Sequence, residues 1–114
     1  MALSFLNLFA PTALTTTAAA IYTVPAAPST TLLRNGRLRL SNETTSATAV
    51  SLYAVPAGST TATTTNSFLP SVSIAGNTPL EVDVPQLSAG DAIYAVAGVA
   101  AAVNVQAMDG VLQS

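Results

Sequence analysis

"RLRLS", Arg37–Ser41, sets two arginines against two leucines at strict two-residue spacing. Successive side chains of a strand point to opposite sides, so Arg37 and Arg39 share one face while Leu38 and Leu40 share the other. The same period returns in "LEVDV", where Leu80, Val82 and Val84 oppose Glu81 and Asp83, and in "SVSI", where Val72 and Ile74 point inward. β-Branched residues dominate the chain, and Pro and Gly interrupt it every ten residues or so. Short alternating runs at that spacing predict an all-β antiparallel sandwich.

Outward from this stretch, residues 14–25 read as a strand ending at Pro25, followed by the loop "PAAPSTT". A strand is expected from Thr30 to Ser41, with Asn35-Gly36 as a candidate turn within it. Asn42 to Ala47 is a polar turn, and Thr48 to Pro56 is the next strand. "AGSTTATTTNS", Ala57–Ser67, lacks apolar periodicity and reads as an exposed loop. "AGNTP" and "SAGD" are turns, the second opening a strand from Ile93 to Ala97. A last strand is expected from Ala102 to Met108, before Asp109-Gly110. No long amphipathic helix is visible.

All three tyrosines occupy one local setting: "IYTVPA" from Ile21, "LYAVPA" from Leu52 and "IYAVAG" from Ile93. In each copy the Tyr and the Val two positions on share a face, and the other face is apolar or small. That pattern predicts strands covered on both sides, with the phenol reaching a polar rim. Strand propensity alone also produces such repeats.

The composition restricts function. The chain has 114 residues, enough for one small domain. Half are hydrophobic and only 7% are charged, against about 25% in an ordinary globular protein. Lysine is absent, so Ser, Thr and Asn or covering partners must keep the surface compatible with water. A net charge of −2 with three arginines argues against nucleic-acid binding, which needs clustered cations. Cysteine and histidine are both absent, which removes disulfides, thiol nucleophiles and the commonest general base. No apolar run approaches the ~20 residues of a membrane-spanning helix. The N-terminal segment lacks the basic start of a secretory signal, so the expectation is an unprocessed protein made in the cytoplasm.

Five carboxylates remain as candidates for chemistry: Glu43, Glu81, Asp83, Asp91 and Asp109. Glu81 and Asp83 share a strand face about 7 Å apart, a separation compatible with acid–base work or Ca²⁺. With no further ligand nearby, the simpler expectation is a solvated face or cross-strand partners for Arg37 and Arg39. Asp91 and Asp109 read as turn residues. No nucleophile motif or phosphate-cradling loop is present. Asn42-Glu43-Thr44 matches a glycosylation acceptor, which without a secretory signal reads as a chance match. No catalytic, cofactor or metal residue is assigned, and an enzyme is not expected.

Residues 1–13 read as an extended N-terminal arm preceding a sandwich domain over 14–114. Leu3, Phe5, Leu6, Leu8 and Phe9 make this arm apolar, and such a segment either folds back or docks on a neighbour; docking is expected.

"LTTTAAAIYTVPA", "RLRLSNETTSATAVSLYAVPAG" and "LSAGDAIYAVAGVAAAVNVQAMDGV" together cover most of residues 14–111. In this pattern the chain resembles small virion structural proteins of tailed bacteriophages. The resemblance implies a jelly-roll or Ig-like β-sandwich that coats or cements the virion as a symmetric homo-oligomer, a trimer being favoured. The implied partners are the major capsid protein or other virion proteins, with no nucleic acid, membrane or cofactor. A head decoration role is the first expectation, with Leu3–Phe9, Arg37, Arg39 and loop 58–67 as contacts. A collar, tail or fibre-base component and a glycan-binding display module are the alternatives.

Overall fold

The computed structural model describes residues 3–5, 11–25 and 32–113. They form β1 (Leu3–Phe5), β2 (Thr12–Ala13), β3 (Ala19–Thr23), β4 (Leu32–Asn42), β5 (Thr48–Val55), β6 (Ser67–Ile74), β7 (Pro79–Asp83), β8 (Leu87–Ser88), β9 (Ala92–Ala97) and β10 (Val103–Gln113). A 3-10 turn, Thr64–Asn66, precedes β6.

The strands divide into two antiparallel sheets. In sheet A, β1 and β2 lie along one side of β10, β10 pairs with β4, and β7 and β8 lie along the far side of β4. Sheet B has the order β3-β9-β5-β6. Counting β1 with β2, and β7 with β8, as interrupted strands gives a simple rule. The first strand pairs with the last, β3 with β9, β4 with β7 and β8, and β5 with β6. That is one long antiparallel ribbon rolled upon itself, the jelly-roll form of the β-sandwich. The Ig-like alternative divides its strands differently between the sheets and does not describe this order.

The alternation read from "RLRLS" and "LEVDV" generates the core. Leu38 and Leu40 of β4 are fully buried, as are Val103 and Val105 of β10. From sheet B, Val50 and Leu52 of β5 and Ile93, Ala95 and Ala97 of β9 join the same cluster. Each fully buried Leu or Ile contributes roughly 1.5–3 kcal/mol through removal from water.

Several elements differ from the sequence expectation for identifiable reasons. Residues 14–18 do not extend a strand; they carry the chain between the sheets. The Leu14 N–H donates to Val103 O (2.9 Å), while Thr15 O accepts from Ala97 N–H (2.9 Å) on the other sheet. No turn interrupts β4 at Asn35-Gly36. The Gly36 carbonyl accepts from Val84 N–H (2.8 Å), and a Cβ at position 36 would lie 3.0 Å from the Val84 Cβ. Glycine serves here for close approach rather than for turning. The last strand continues through Asp109-Gly110 to Gln113, absorbing them as a bulge against β4. Likewise β6 begins at Ser67, four residues before "SVSI", and carries Pro70 on the outer strand of its sheet, where a missing N–H is tolerated.

Segment 1–13 is tied to the protein's own sheet at both described points. Leu3, Ser4 and Phe5 pair with Gln113, Leu112 and Val111, and Thr12 and Ala13 pair with Val105 and Asn104. The backbone of β1 thus folds back rather than extending away as an arm. Leu6, Leu8 and Phe9 lie outside the described residues.

Candidate interaction face

The fold disperses the charged side chains, the residue types best able to carry chemistry. Across β10, β4 and β7 the register sets Gln106, Arg39 and Glu81 in one row and Asp109, Arg37 and Asp83 in the next. Arg39 donates to Glu81 Oε2 at 2.9 Å, and Arg37 lies 3.5 Å from Asp83 Oδ1. The spacing that suggested a carboxylate pair therefore produces two cross-strand ion pairs on an exposed face. Asp91 braces a loop junction: its carboxylate accepts from Ser88 N–H (3.0 Å) and Ala57 N–H (2.9 Å). Asp109 is part of β10, not of a turn. Among the described residues no three His, Cys, Asp or Glu side chains gather as a metal site. No helix there is long and apolar enough to cross a membrane.

Asn42 is a structural pin rather than a modification site. It is 1% exposed, and its amide hydrogens go to Ser46 O and Ile74 O, both at 2.9 Å. Its Oδ1 accepts from Thr44 N–H and Thr44 Oγ1. With both donors and the acceptor engaged, the folded protein offers no free amide in its Asn-Glu-Thr sequence.

The feature that stands out is how charge is shared between the sheets. All three arginines, Glu81, Asp83 and Asp109 belong to strands of sheet A, and Glu43 and Asp91 lie in connections. The four strands of sheet B, "AAIYT", "TAVSLYAV", "SFLPSVSI" and "AIYAVA", contain no charged residue. Their inward side chains fill the core. The outward set includes Ala20 of β3, Ala49, Ser51 and Tyr53 of β5, Tyr94 and Val96 of β9, and Ser71 and Ser73 of β6; Ala20, Ala49, Ser71 and Ser73 are exposed and the others half-buried.

Two shallow depressions meet on this surface. One, of about 270 Å³, is lined by Thr16, Ala49, Ser51, Ser71, Val96 and Gly98 among others. The second, of about 180 Å³, lies between Tyr53, Ser67 and Pro70 and shares Ser51 and Ser71 with the first. The surface continues into the β9–β10 connection, where Gly98, Val99, Ala100 and Ala101 are all exposed and Val99 keeps 54% of its accessible area.

The tyrosine repeat has its explanation here. Its three copies fall on β3, β9 and β5, which are adjacent strands of sheet B. Contrary to the expectation of two covered sides, Tyr53 and Tyr94 stand on the outer face, half-buried. Tyr22 behaves differently: a register shift between Ala20 and Tyr22 sets it opposite Ile93, and it packs against the core. Burial raises its phenol above the usual value of 10.0.

Of the residues expected to meet partners, Arg37 and Arg39 satisfy their charges within the chain, and Leu3 and Phe5 lie in β1. Loop 58–67 is an exposed connection closed by the 3-10 turn, except that Ser67 already belongs to β6. The uncharged face was not singled out from sequence, although the absence of charge from these four segments is visible there. Comparison with known protein families, with curated proteins and with solved structures finds no match to this chain.

Proposed function

We propose that this chain is a non-enzymatic structural protein of a tailed-bacteriophage particle, a decoration or cement protein that clamps neighbouring major capsid subunits. The observation that carries the proposal is the confinement of strand charge to sheet A, which leaves sheet B a neutral outer surface of Tyr, Ser, Ala and Val. Protein interfaces are depleted of charge at their centres and enriched in tyrosine, and this face has both properties. The resemblance of its sequence pattern to small phage virion proteins supplies the setting.

In this role the protein acts by burial. Apolar area removed from water contributes about 25 cal/mol per Å², and association opposes it with lost freedom of motion. A symmetric homo-oligomer, with three copies the favoured count, multiplies weak contacts without a strong single one. The ion-paired surface of sheet A is suited to stay in water.

Imaging of purified particles with the labelled protein tests the reading. Hundreds of copies spread over the head support the cement role, and a handful at one vertex assigns the protein to the collar or tail instead. Failure to join particles of any kind refutes both.

A further inference from the structure

We propose that the hollow between β5 and β6, built by Ser51, Tyr53, Ser67, Pro70 and Ser71, is a binding site for a neutral sugar ring. It lies at the margin of the uncharged face, against the outer strand of sheet B. The inference goes beyond the virion reading and does not rest on it.

Three separate observations meet at this spot. The first is an unsatisfied hydroxyl. Among the described residues, Ser67 Oγ is the one buried side-chain polar atom that makes no hydrogen bond. Buried polar groups are nearly always paired, so this hydroxyl, able both to donate and to accept, is left for a polar ligand atom.

The second is a distortion of the backbone. The β5–β6 ladder slips twice, between Val50 and Leu52 and again between Leu52 and Tyr53. Ser51 therefore faces two residues, Pro70 and Ser71, in place of one. Ser71 sits at φ +45°, a left-handed conformation uncommon outside glycine, and its N–H donates to Ser51 Oγ (2.9 Å). Bulges and strained residues of this kind gather beside binding sites. The third is room. The hollow measures about 180 Å³, where roughly 10–15 Å³ seats one water, and it shares Ser51 and Ser71 with the depression of about 270 Å³.

The lining selects the ligand. An apolar group would leave Ser67 Oγ stranded. A charged group would lose its hydration with no opposite charge to replace it, since none of the five residues carries one. A peptide strand laid along β6 finds no donor here, because Pro70 has no N–H and that of Ser71 is taken by Ser51. A sugar ring matches what remains. Its neighbouring hydroxyls donate and accept as serines do, and its C–H face suits the Tyr53 ring, an apolar body with a polar tip. One ring of about a dozen heavy atoms in so shallow a site gives an affinity on the order of millimolar.

Amide chemical shifts of the intact chain, titrated with glucose, galactose, mannose and N-acetylglucosamine, test the site. Glucuronate and cyclohexanol serve as the charged and the apolar-ring control. At least one neutral sugar should shift amides within 51–53 and 67–71 saturably, and neither control should. Ser67→Ala should weaken that binding about tenfold, the scale of one hydrogen bond. Its denaturation midpoint should hold or rise, because the hydroxyl has no partner in the fold to lose. Tyr53→Ala should also weaken binding about tenfold, and Gln106→Ala on sheet A should leave it unchanged. No saturable shift with any of the four sugars, equal binding of either control, or full-strength binding by Ser67→Ala overturns the inference. So does a lowered midpoint in Ser67→Ala, which would mean that the hydroxyl is bonded within the fold. Particle imaging reads the virion role separately, and either result can fail while the other stands.

Discussion

Tyr53 of β5 and Tyr94 of β9 stand directly opposite each other in the register of sheet B, on its outer face. Directly opposed aromatic pairs on neighbouring strands stabilise a sheet beyond their separate contributions. A double-mutant cycle with Tyr53→Ala and Tyr94→Ala, read by urea denaturation, should give a coupling of about 0.5–1 kcal/mol. Strict additivity would mean that the rings do not interact.

Asn42 joins β4, the following turn and β6 through a single buried amide. Asn42→Ala leaves Ile74 O, Ser46 O and Thr44 N–H to find other partners. The expected loss is about 2–4 kcal/mol, the scale for several hydrogen-bonding groups stranded together. A denaturation midpoint close to that of the unmodified protein would contradict the pin.

The two ion pairs of sheet A should matter little to stability. Arg39 and Glu81 keep 44% and 48% of their side-chain area exposed, and exposed pairs contribute about 0–1 kcal/mol. Arg39→Gln should therefore change the unfolding free energy by less than about 1 kcal/mol, with the difference shrinking as salt is added. Leu38→Ala, one position away on the core side, should lose about 2–5 kcal/mol. Chemical denaturation of both variants in low and high salt checks the contrast.

Alkaline pH should loosen the fold through Tyr22. Its phenol is raised above 10.0 by burial, so above pH 10.0 the unfolded chain releases this proton before the folded one does. Stability contributed by the buried neutral phenol is complete below that value and falls as pH climbs toward the folded-state pKa. Tyr22→Phe should flatten this part of the stability–pH profile. An unchanged slope would assign the alkaline loss to other groups.

The sequence showed the strands far better than their partners. Leu38 and Leu40, Val82 and Val84, and Ile74 declared their inward side by alternation alone, and Pro and Gly marked most turns. Nothing local says that β2 pairs with β10 or β3 with β9, because those ladders join segments far apart along the chain. Bulges hid the rest. A one-residue slip reverses which side a residue faces, so Tyr22 and Tyr94 share a motif but not an environment. Asp109-Gly110 has the composition of a turn and is absorbed into β10 because β4 offers a long enough ladder to hold it. The candidate face was legible only as an absence, four uncharged segments. Topology was needed to bring them together on one sheet.

Pairing of the first strand with the last has a consequence for how the protein is made. Until residues 103–113 have been translated, β4 lacks its longest neighbour and β1 and β2 have none. The nascent chain emerges as nearly uncharged strand with open hydrogen-bonding edges, a state prone to stick to its own kind. Rapid closure by β10, or a chaperone that shields the waiting strands, becomes a condition of yield, and translational stalling before Val103 should leave aggregates in place of a partly folded domain.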